Sequence, residues 1–436
     1  MRTAVCAVLL GLASRDVFAG DGLKRLTSER LAATADAVEK LKAERKELKR
    51  PGPYREYRAN LHVHSAFSHD SRGKIDEIVA AAKKVGTSIL MFNEHPAPHY
   101  DFFADGHRGL HDGVLLIPGA EMRGFLVFPT QSLQGLDGGS NQEFTDLVVG
   151  RDGRMFISHL EERMDWEPVG ITGVEIYNTH ADFKEEKELI AAMRDPLWLF
   201  RSAGLFRQYP QAAYSALMDY PADYLRRYDE LCQKAPHTGV SANDAHQNVG
   251  IRLRMANGDK VVVEDALEEK LVELDAASNP VLKALALGKK PDDVLFEILV
   301  DPYEASLRHV GTHLLMTELT QEAVWDALRA GRAFVAFDWL ADSTGFDVAA
   351  ISSSQRFELG SQVALTEGLK LAGAAPLPGT WKLIRNGEKI TETSGSSCEF
   401  PVTQQGVYRV EVWLKVADEF KPWILSNPVY VATDSP

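Results

Sequence analysis

Cysteine is scarce: Cys6, Cys232 and Cys398 are the three in 436 residues, and no two of them form a Cys-x-x-Cys pair. That excludes thiolate zinc sites and thioredoxin-like chemistry. Any metal must then be held by histidine and carboxylate. The cysteines are far apart in sequence, and no disulfide is expected. Basic charge is also in deficit, with 48 Lys plus Arg against 62 Asp plus Glu and a formal net charge of −14. An acidic surface repels polyanions at long range, which disfavours nucleic acid as a partner. No run beyond the N-terminus approaches the roughly 18 apolar residues of a membrane span, so no transmembrane anchor is expected. What remains is ordinary globular composition, 45% apolar and 25% charged. The length favours two domains.

The chain opens MRTAVCAVLLGLASRDVFAG. Arg2, the apolar run 4–13 and Val17-Phe18-Ala19 read as a signal peptide over 1–19, with export to the periplasm or beyond. The alternative is a short amphipathic helix on a cytoplasmic protein. Residues 20–53 carry Lys, Glu, Ala and Leu at helical spacing until Pro51-Gly52-Pro53 stops them.

From 54 to 338 short apolar runs alternate with helical stretches, the pattern of βα units in a mainly parallel sheet or barrel. Strands are expected at 60–64, 88–92, 114–117, 125–128, 155–158, 174–177, 239–242 and 334–337, and helices at 74–85 and 321–330. Residues 183–236 form a helical insertion rich in aromatics, read as a subdomain with its own small core and as a lid over a substrate pocket. A hairpin is expected at Asn257-Gly258, and 264–300 reads as helical. From 339 to 436 the helices stop, and Asn386-Gly387 marks a two-residue hairpin. This segment is expected to be a β-sandwich domain, immunoglobulin-like and with no chemical cluster.

Ligand-type residues follow the apolar runs. His62 and His64 flank Val63 on a strand, where residues two apart share a face. Asp70 returns toward them through SAFSHDS, His95 follows ILMF, Glu121 follows VLLIPGA, His159 follows MFIS, and Asp244 and His246 follow GVSAN. In a βα barrel such strand ends converge on one face. Imidazole mixed with carboxylate suits Zn²⁺, Mn²⁺ or Fe²⁺ better than Mg²⁺ or Ca²⁺. Eight ligands exceed the needs of one ion, so two or three divalent ions are expected, with Glu121 as the bridging carboxylate.

The motifs NLHVHSAFSHDS, FNEHP, GAE, ISH and NDAH, in this order, resemble the PHP (polymerase and histidinol phosphatase) family over 57–337. The resemblance implies a distorted seven-stranded βα (TIM-like) barrel and a trinuclear metal site. Carried over, His62, His64, Glu121 and Asp244 would hold one ion, Asp70, His95 and His246 a second, and Glu121 with His159 a third. Two departures stand out. The usual Thr-Asp-His is Asn93-Glu94-His95, and RGFLVFP replaces the segment where many members place a further His, leaving His180 as a substitute for the third ion. A β-region after the barrel, ending VYRVEVWLKVADEFKPWILSNPVYV, resembles a bacterial subgroup that includes carbaryl hydrolases of the CehA/McbA type.

Other residues are weighed against structural roles. His69 competes with Asp70 as ligand. Arg123 clamps a substrate anion or makes a structural salt bridge. His180 contacts substrate or supports the ligands, Asn178 orients a loop, and Glu94 stands behind the ligands. His309 and His313, at i and i+4, either pair on a helix or support the barrel. His99, His107 and His111 read as solvated loop residues. The expected activity is hydrolysis of a small molecule by a metal-bound hydroxide. No Gly-x-Ser-x-Gly elbow stands near the ligands. The catalytic set is Glu121, Asp244, Arg123 and His180. Phosphoester cleavage leads, aryl ester or carbamate cleavage follows, and a non-catalytic metal-containing binding scaffold is the reading from another class.

Overall fold

The computed structural model describes residues 22–433 except 137, 194–195, 279 and 354. The expected signal peptide and Cys6 lie outside the described residues. Helices α1 (Gly22–Arg25) and α2 (Ser28–Glu44) come first. Thr27 caps α2 by accepting the amide of Arg30. Strand β1 (Arg55–Val63) is exposed at its start and fully buried at its end. Helix α3 (Ile75–Lys84) buries Ile78, Val79 and Ala82 on one face, and Gly86 at φ +78° ends it.

Strands β2 (Ile89–Phe92), β3 (Gly109–His111), β4 (Val114–Ile117), β5 (Ala120–Met122) and β6 (Phe125–Phe128) follow, then α4 (Asn141–Val149), β7 (Arg154–Ile157) and β8 (Gly173–Asn178). The insertion contributes α5 (Thr179–Glu185), α6 (Lys187–Met193), α7 (Pro196–Gln208), α8 (Pro210–Tyr214) and α9 (Ala222–Lys234), and the chain re-enters the sheet as β9 (Thr238–Ala245). β1 pairs parallel with β2 and β9, β2 with β4, β7 with β8, and β8 with β9. β5–β6 and β6–β7 are antiparallel, and a parallel bridge from Glu94 to Ala120 ties the end of β2 to β5. These pairings close on themselves through β1, β2, β4 with β5, β6, β7, β8 and β9. β2, β4, β6 and β7 are buried along their whole length, which explains why they read as continuous apolar runs rather than alternating ones.

Beyond β9, strands β10 (Gly250–Ala256), β11 (Lys260–Asp265), β12 (Lys270–Asp275) and β13 (Val294–Leu299) form a separate antiparallel sheet in the order β12-β11-β10-β13. This overturns the helical reading of 264–300. Among the described residues there, only α10 (Pro280–Ala286) and the single turn Ala276–Ser278 are helical. Leucine spacing fits a helix locally, but packing decides otherwise: Leu253, Val261, Val263 and Ile298 build one sheet face against Phe206 and Ala203 of α7. The insertion therefore shares its core with this sheet. The hairpin lies where expected, although its turn takes three residues, with Gly258 and Asp259 at φ +70° and +54°.

Helix α11 (Tyr303–His309) leads into β14 (Gly311–Met316), followed by α12 (Gln321–Arg329) and β15 (Ala333–Ala336). His309 ends the helix and His313 lies in β14, so the two are not a helical pair. β14 pairs antiparallel with the first half of β1 and with β15. The remaining strands are β16 (Asp347–Ile351), β17 (Arg356–Phe357), β18 (Gln362–Ala364), β19 (Lys370–Arg385), β20 (Glu388–Pro401), β21 (Gly406–Val416), β22 (Glu419–Ser426) and β23 (Val429–Ala432). The β19–β20 hairpin turns on Asn386 and Gly387 at φ +51° and +85°, as a two-residue turn of this hand requires. This all-β region does not carry a core of its own. β22 pairs with β15, and one hydrophobic cluster runs from Val174 and Tyr228 to Trp381 and Val410. Trp339, at the expected boundary, lies inside that cluster. Among the described residues no helix is long and apolar enough to cross a membrane.

Candidate metal centre

β1 delivers His62 and His64, but not by simple alternation. Its pairing with β2 and β9 slips between Leu61 and Val63, and His62 takes φ +60°. Such a bulge re-aims one side chain, and the two imidazole centroids end 5.2 Å apart. His159, just past β7, and Asp244, in β9, take φ +45° and +48°. Left-handed backbone at non-glycine residues is strain that the surrounding sheet must hold, and it is common where geometry serves function.

Ligand-type atoms converge in three overlapping groups, each within 4.8 Å: His64, Asp70, His95 and His246; His62, Glu121 and His159; His62, His64 and Asp244. All eight side chains singled out in the sequence fall within them. The partition differs from the expected one, because His64 belongs with the Asp70 group as well as with Asp244. Glu121 spans the centre, with Oε1 3.1 Å from His159 Nε2 and Oε2 3.3 Å from His62 Nε2 and 3.8 Å from His95 Nδ1. Asp244 Oδ1 lies 3.2 Å from His62, 3.5 Å from His64 and 3.4 Å from His246. Asp70 Oδ2 lies 3.2 Å from His95 and 3.4 Å from His246.

These separations are ion-pair distances without hydrogen-bond alignment. The Nε2 atoms of His62, His64 and His246 and the Oδ1 atoms of Asp70 and Asp244 are buried and have no hydrogen-bond partner. Leaving a buried polar atom unpaired costs roughly 1–3 kcal/mol. The opposite ring nitrogens are engaged: His62 Nδ1 with Glu175 at 2.8 Å, His64 Nδ1 with Ser68 at 3.0 Å, His246 Nδ1 with the Asp244 carbonyl at 2.9 Å. Each ring is thus turned so that its Nε2 faces the centre. Lone pairs of imidazole and carboxylate aimed at common points fit divalent transition cations.

The field agrees. Burial opposes charge on His62, yet Asp244 and Glu121 raise its pKa well above the usual value. Burial likewise opposes charge on Asp244 and Glu121, and His62 outweighs it, holding both well below the usual carboxylate range. His64, buried beside His246, falls to about 3. His159 rises to about 10 and His246 to about 9, burial being outweighed by Glu121 and by Asp70 respectively. The carboxylates dominate the site and favour bound positive charge.

A cavity of about 420 Å³ opens onto these groups, lined by Asp70, His95, Glu121, His159, Asp244 and His246. His180 reaches it from α5, its Nδ1 3.5 Å from Asp244 Oδ2. Phe183, Leu189, Phe206 and Tyr214 of the insertion give it an apolar wall, completed by Leu26. Of the aromatics expected to line a lid, Phe206 and Tyr214 line the cavity, while Tyr224 and Tyr228 pack in the core.

Arg123 requires a correction. It does not line the cavity; its guanidinium donates to the Gly139 carbonyl at 2.6 Å and lies over the Phe144 ring. Strand alternation alone made it a neighbour of Glu121. The cations that do line the cavity are Arg163 and Lys184. His69 is exposed, with Nδ1 3.9 Å from Asp70. His107 packs at a tilt against Phe67 and Phe92, and His111 bonds the Arg108 carbonyl. Asn178 caps α5 by accepting the amides of His180 and Ala181. Glu94, buried, accepts from Ser65 and Ser68, and Ser68 in turn holds His64. His309 and His313 belong to buried networks away from the ligands, with Tyr177 and Ser215, and with Glu56 and Asp338. Sequence reasoning missed Glu175, a carboxylate inside the apolar strand GVEIYN, where nothing but its charge marked it.

No family model and no curated protein matches the chain. Among solved structures it is similar to a two-domain protein from Bacteroides vulgatus ATCC 8482 described as containing a predicted PHP-like metal-dependent phosphoesterase. That likeness covers 88% of this chain and 98% of the other at 14% identity, with a TM-score of 0.37. At that score it carries no weight for fold or chemistry, and the case for a metal centre stands on the side-chain geometry.

Proposed function

We propose that the chain is a metal-dependent hydrolase of the PHP kind, acting on small phosphoesters with two or three ions of Zn, Mn or Fe. The observation that carries the reading is the set of buried, unpartnered Nε2 and Oδ1 atoms of His62, His64, His246, Asp70 and Asp244, of which His246, Asp70 and Asp244 line the cavity. His62, His64, Asp70, His95, Glu121, His159, Asp244 and His246 would hold the ions. Bound divalent cations supply an activated water near neutral pH and stabilise oxygens that gain charge. The protein residues do the rest. Glu175, Ser68 and the Asp244 backbone carbonyl orient the rings of His62, His64 and His246, the apolar wall excludes bulk water, and His180 stands where it can pass a proton to a leaving oxygen. Arg163 and Lys184, rather than Arg123, supply the cationic rim for a substrate anion.

A second reading is hydrolysis of an aryl ester or carbamate, favoured by the apolar wall of Phe183, Leu189, Phe206 and Tyr214. Chemistry confined to 54–338, with 339–436 a β region packed on it and sharing its core, and export after Ala19 belong to the same proposal. The test is remetallated protein assayed with Zn²⁺ and Mn²⁺ on nitrophenyl phosphate, bis-nitrophenyl phosphate, a nitrophenyl ester and a naphthyl carbamate. Metal-dependent turnover of a phosphate, lost in Glu121→Gln, is expected. Turnover of only the ester or carbamate reverses the ranking. Metal binding without turnover of any of the four favours the scaffold reading, and less than one equivalent of metal ends the reading altogether.

A further inference from the structure

Glu175 lies in the middle of β8, fully buried, in a strand whose neighbours Val174 and Ile176 face the hydrophobic core. A lone carboxylate in such a place costs several kcal/mol unless its oxygens are satisfied. They are satisfied by the candidate site itself. Oε1 accepts from His62 Nδ1 at 2.8 Å. Oε2 accepts from the backbone amide of His159 at 2.8 Å and from Asn178 Nδ2 at 2.9 Å. The β8–β9 register slips between Glu175 and Tyr177, so the strand is irregular where this carboxylate turns inward.

Each contact fixes something different. The bond to Nδ1 selects the His62 tautomer that leaves Nε2 as a lone pair facing Glu121 and Asp244. The bond to the His159 amide braces a residue at φ +45°, a backbone conformation that would otherwise relax. The bond to Asn178 orients an amide whose Oδ1 caps α5, the helix that starts with Thr179 and His180.

We propose that Glu175 is a positioning residue that sets the metal-facing geometry of His62 and His159 together, and of His180 through Asn178. This rests on the metal reading above. Second carboxylates behind ligand histidines typically change metal affinity by about 10–100-fold when removed. Glu175→Gln keeps the size but presents an amide N–H₂ to groups that are already donors.

The experiment is a Zn²⁺ titration of purified protein against a chromophoric chelator, run on wild type, Glu175→Gln, His62→Ala and the double variant. Wild type should bind Zn²⁺, and Glu175→Gln should bind about 10–100-fold more weakly. In the His62→Ala background the same substitution should cost less, because one of the rings it positions is gone and only its hold on His159 and Asn178 remains. Equal losses in both backgrounds would reduce Glu175 to a structural role and overturn the inference, as would unchanged affinity in Glu175→Gln. A wild-type chain that binds no Zn²⁺ defeats the metal reading itself, a different outcome from either. If Glu175→Gln does not fold, Glu175→Asp, which keeps the charge and withdraws it by one methylene, carries the same cycle with the same two outcomes.

Discussion

Arg409 of β21 donates from Nε and Nη2 to the two carboxylate oxygens of Asp229 in α9, each 2.8 Å away, and both side chains are buried. Its Nη1 reaches Glu411 at 2.6 Å. One guanidinium thus joins the helical insertion to the C-terminal strands, and the carboxylates hold its pKa well above even the usual arginine value although burial opposes the charge. Arg409→Met would strand two carboxylates in the interior. A loss of about 3–5 kcal/mol is expected, read as a lower urea midpoint in metal-free protein. A loss below about 1 kcal/mol would mean that water reaches the pair.

The same interface bears on truncation. A chain ending at Trp339 loses β22, the partner of β15, and Asn427, whose amide donates to the carbonyls of Gly239 and Ala333 at 3.0 and 2.9 Å. It also uncovers the cluster shared by Tyr228 and Trp381. The truncated chain is expected to aggregate or to unfold without cooperativity on heating. A soluble truncation with a sharp melting transition and full metal content would show that the strand ring stands alone.

Stability should fall toward alkaline pH through His313. Its Nδ1 lies 2.5 Å from Glu56 and its Nε2 2.7 Å from Asp338, and despite burial these carboxylates raise its pKa to about 9. A folded pKa above the unfolded value near 6.5 gives stability that is complete below about pH 6.5 and lost as pH rises through about 9. Melting temperature measured from pH 6 to 10 should decline across that window in wild type. His313→Gln should start lower and decline less. Parallel curves would remove His313 as the source.

Lys184 separates the two substrate classes. Its ammonium lines the cavity, half exposed, paired with Glu162 at 2.7 Å. An exposed charge of this kind is worth about 0.5–1 kcal/mol to an anionic partner, so Lys184→Ala should raise KM for nitrophenyl phosphate about two- to five-fold. KM for the neutral naphthyl carbamate should not move. Equal shifts for both would mean that Lys184 shapes the pocket rather than the field.

The convergence of the eight candidate side chains was legible because all but Asp70 lie in or just after an apolar run, and buried strands ending at one rim leave that signature. The Asn386-Gly387 turn was legible because few residues accept positive φ twice in succession. Residues 264–300 were not, since helical spacing of leucines is local whereas the pairing of β10 with β13 joins distant segments. The bulge at His62 leaves no mark in NLHVHS, where alternation alone would reach the same face. Glu175 was hidden for the opposite reason: its partners come from β1, from the turn after β7 and from Asn178, and only the fold assembles them. The shared core across Trp339 was invisible because composition changes there while packing does not.

The pairing of β1 with β14 sets Arg55 opposite Met316, about 260 residues later in the chain. At about 5–20 residues per second, a ribosome takes roughly 13–50 s to deliver that partner once β1 has emerged. Through that interval the first half of β1 presents an open edge, and for about its first 180 residues of synthesis His62 and His64 exist without Asp244 and His246. Assembly of the candidate ligand set is therefore a late event in the birth of the molecule, since β1 alone brings only two imidazoles. Slow codons or an added domain between β9 and β14 would lengthen the vulnerable period without altering one contact in the finished protein.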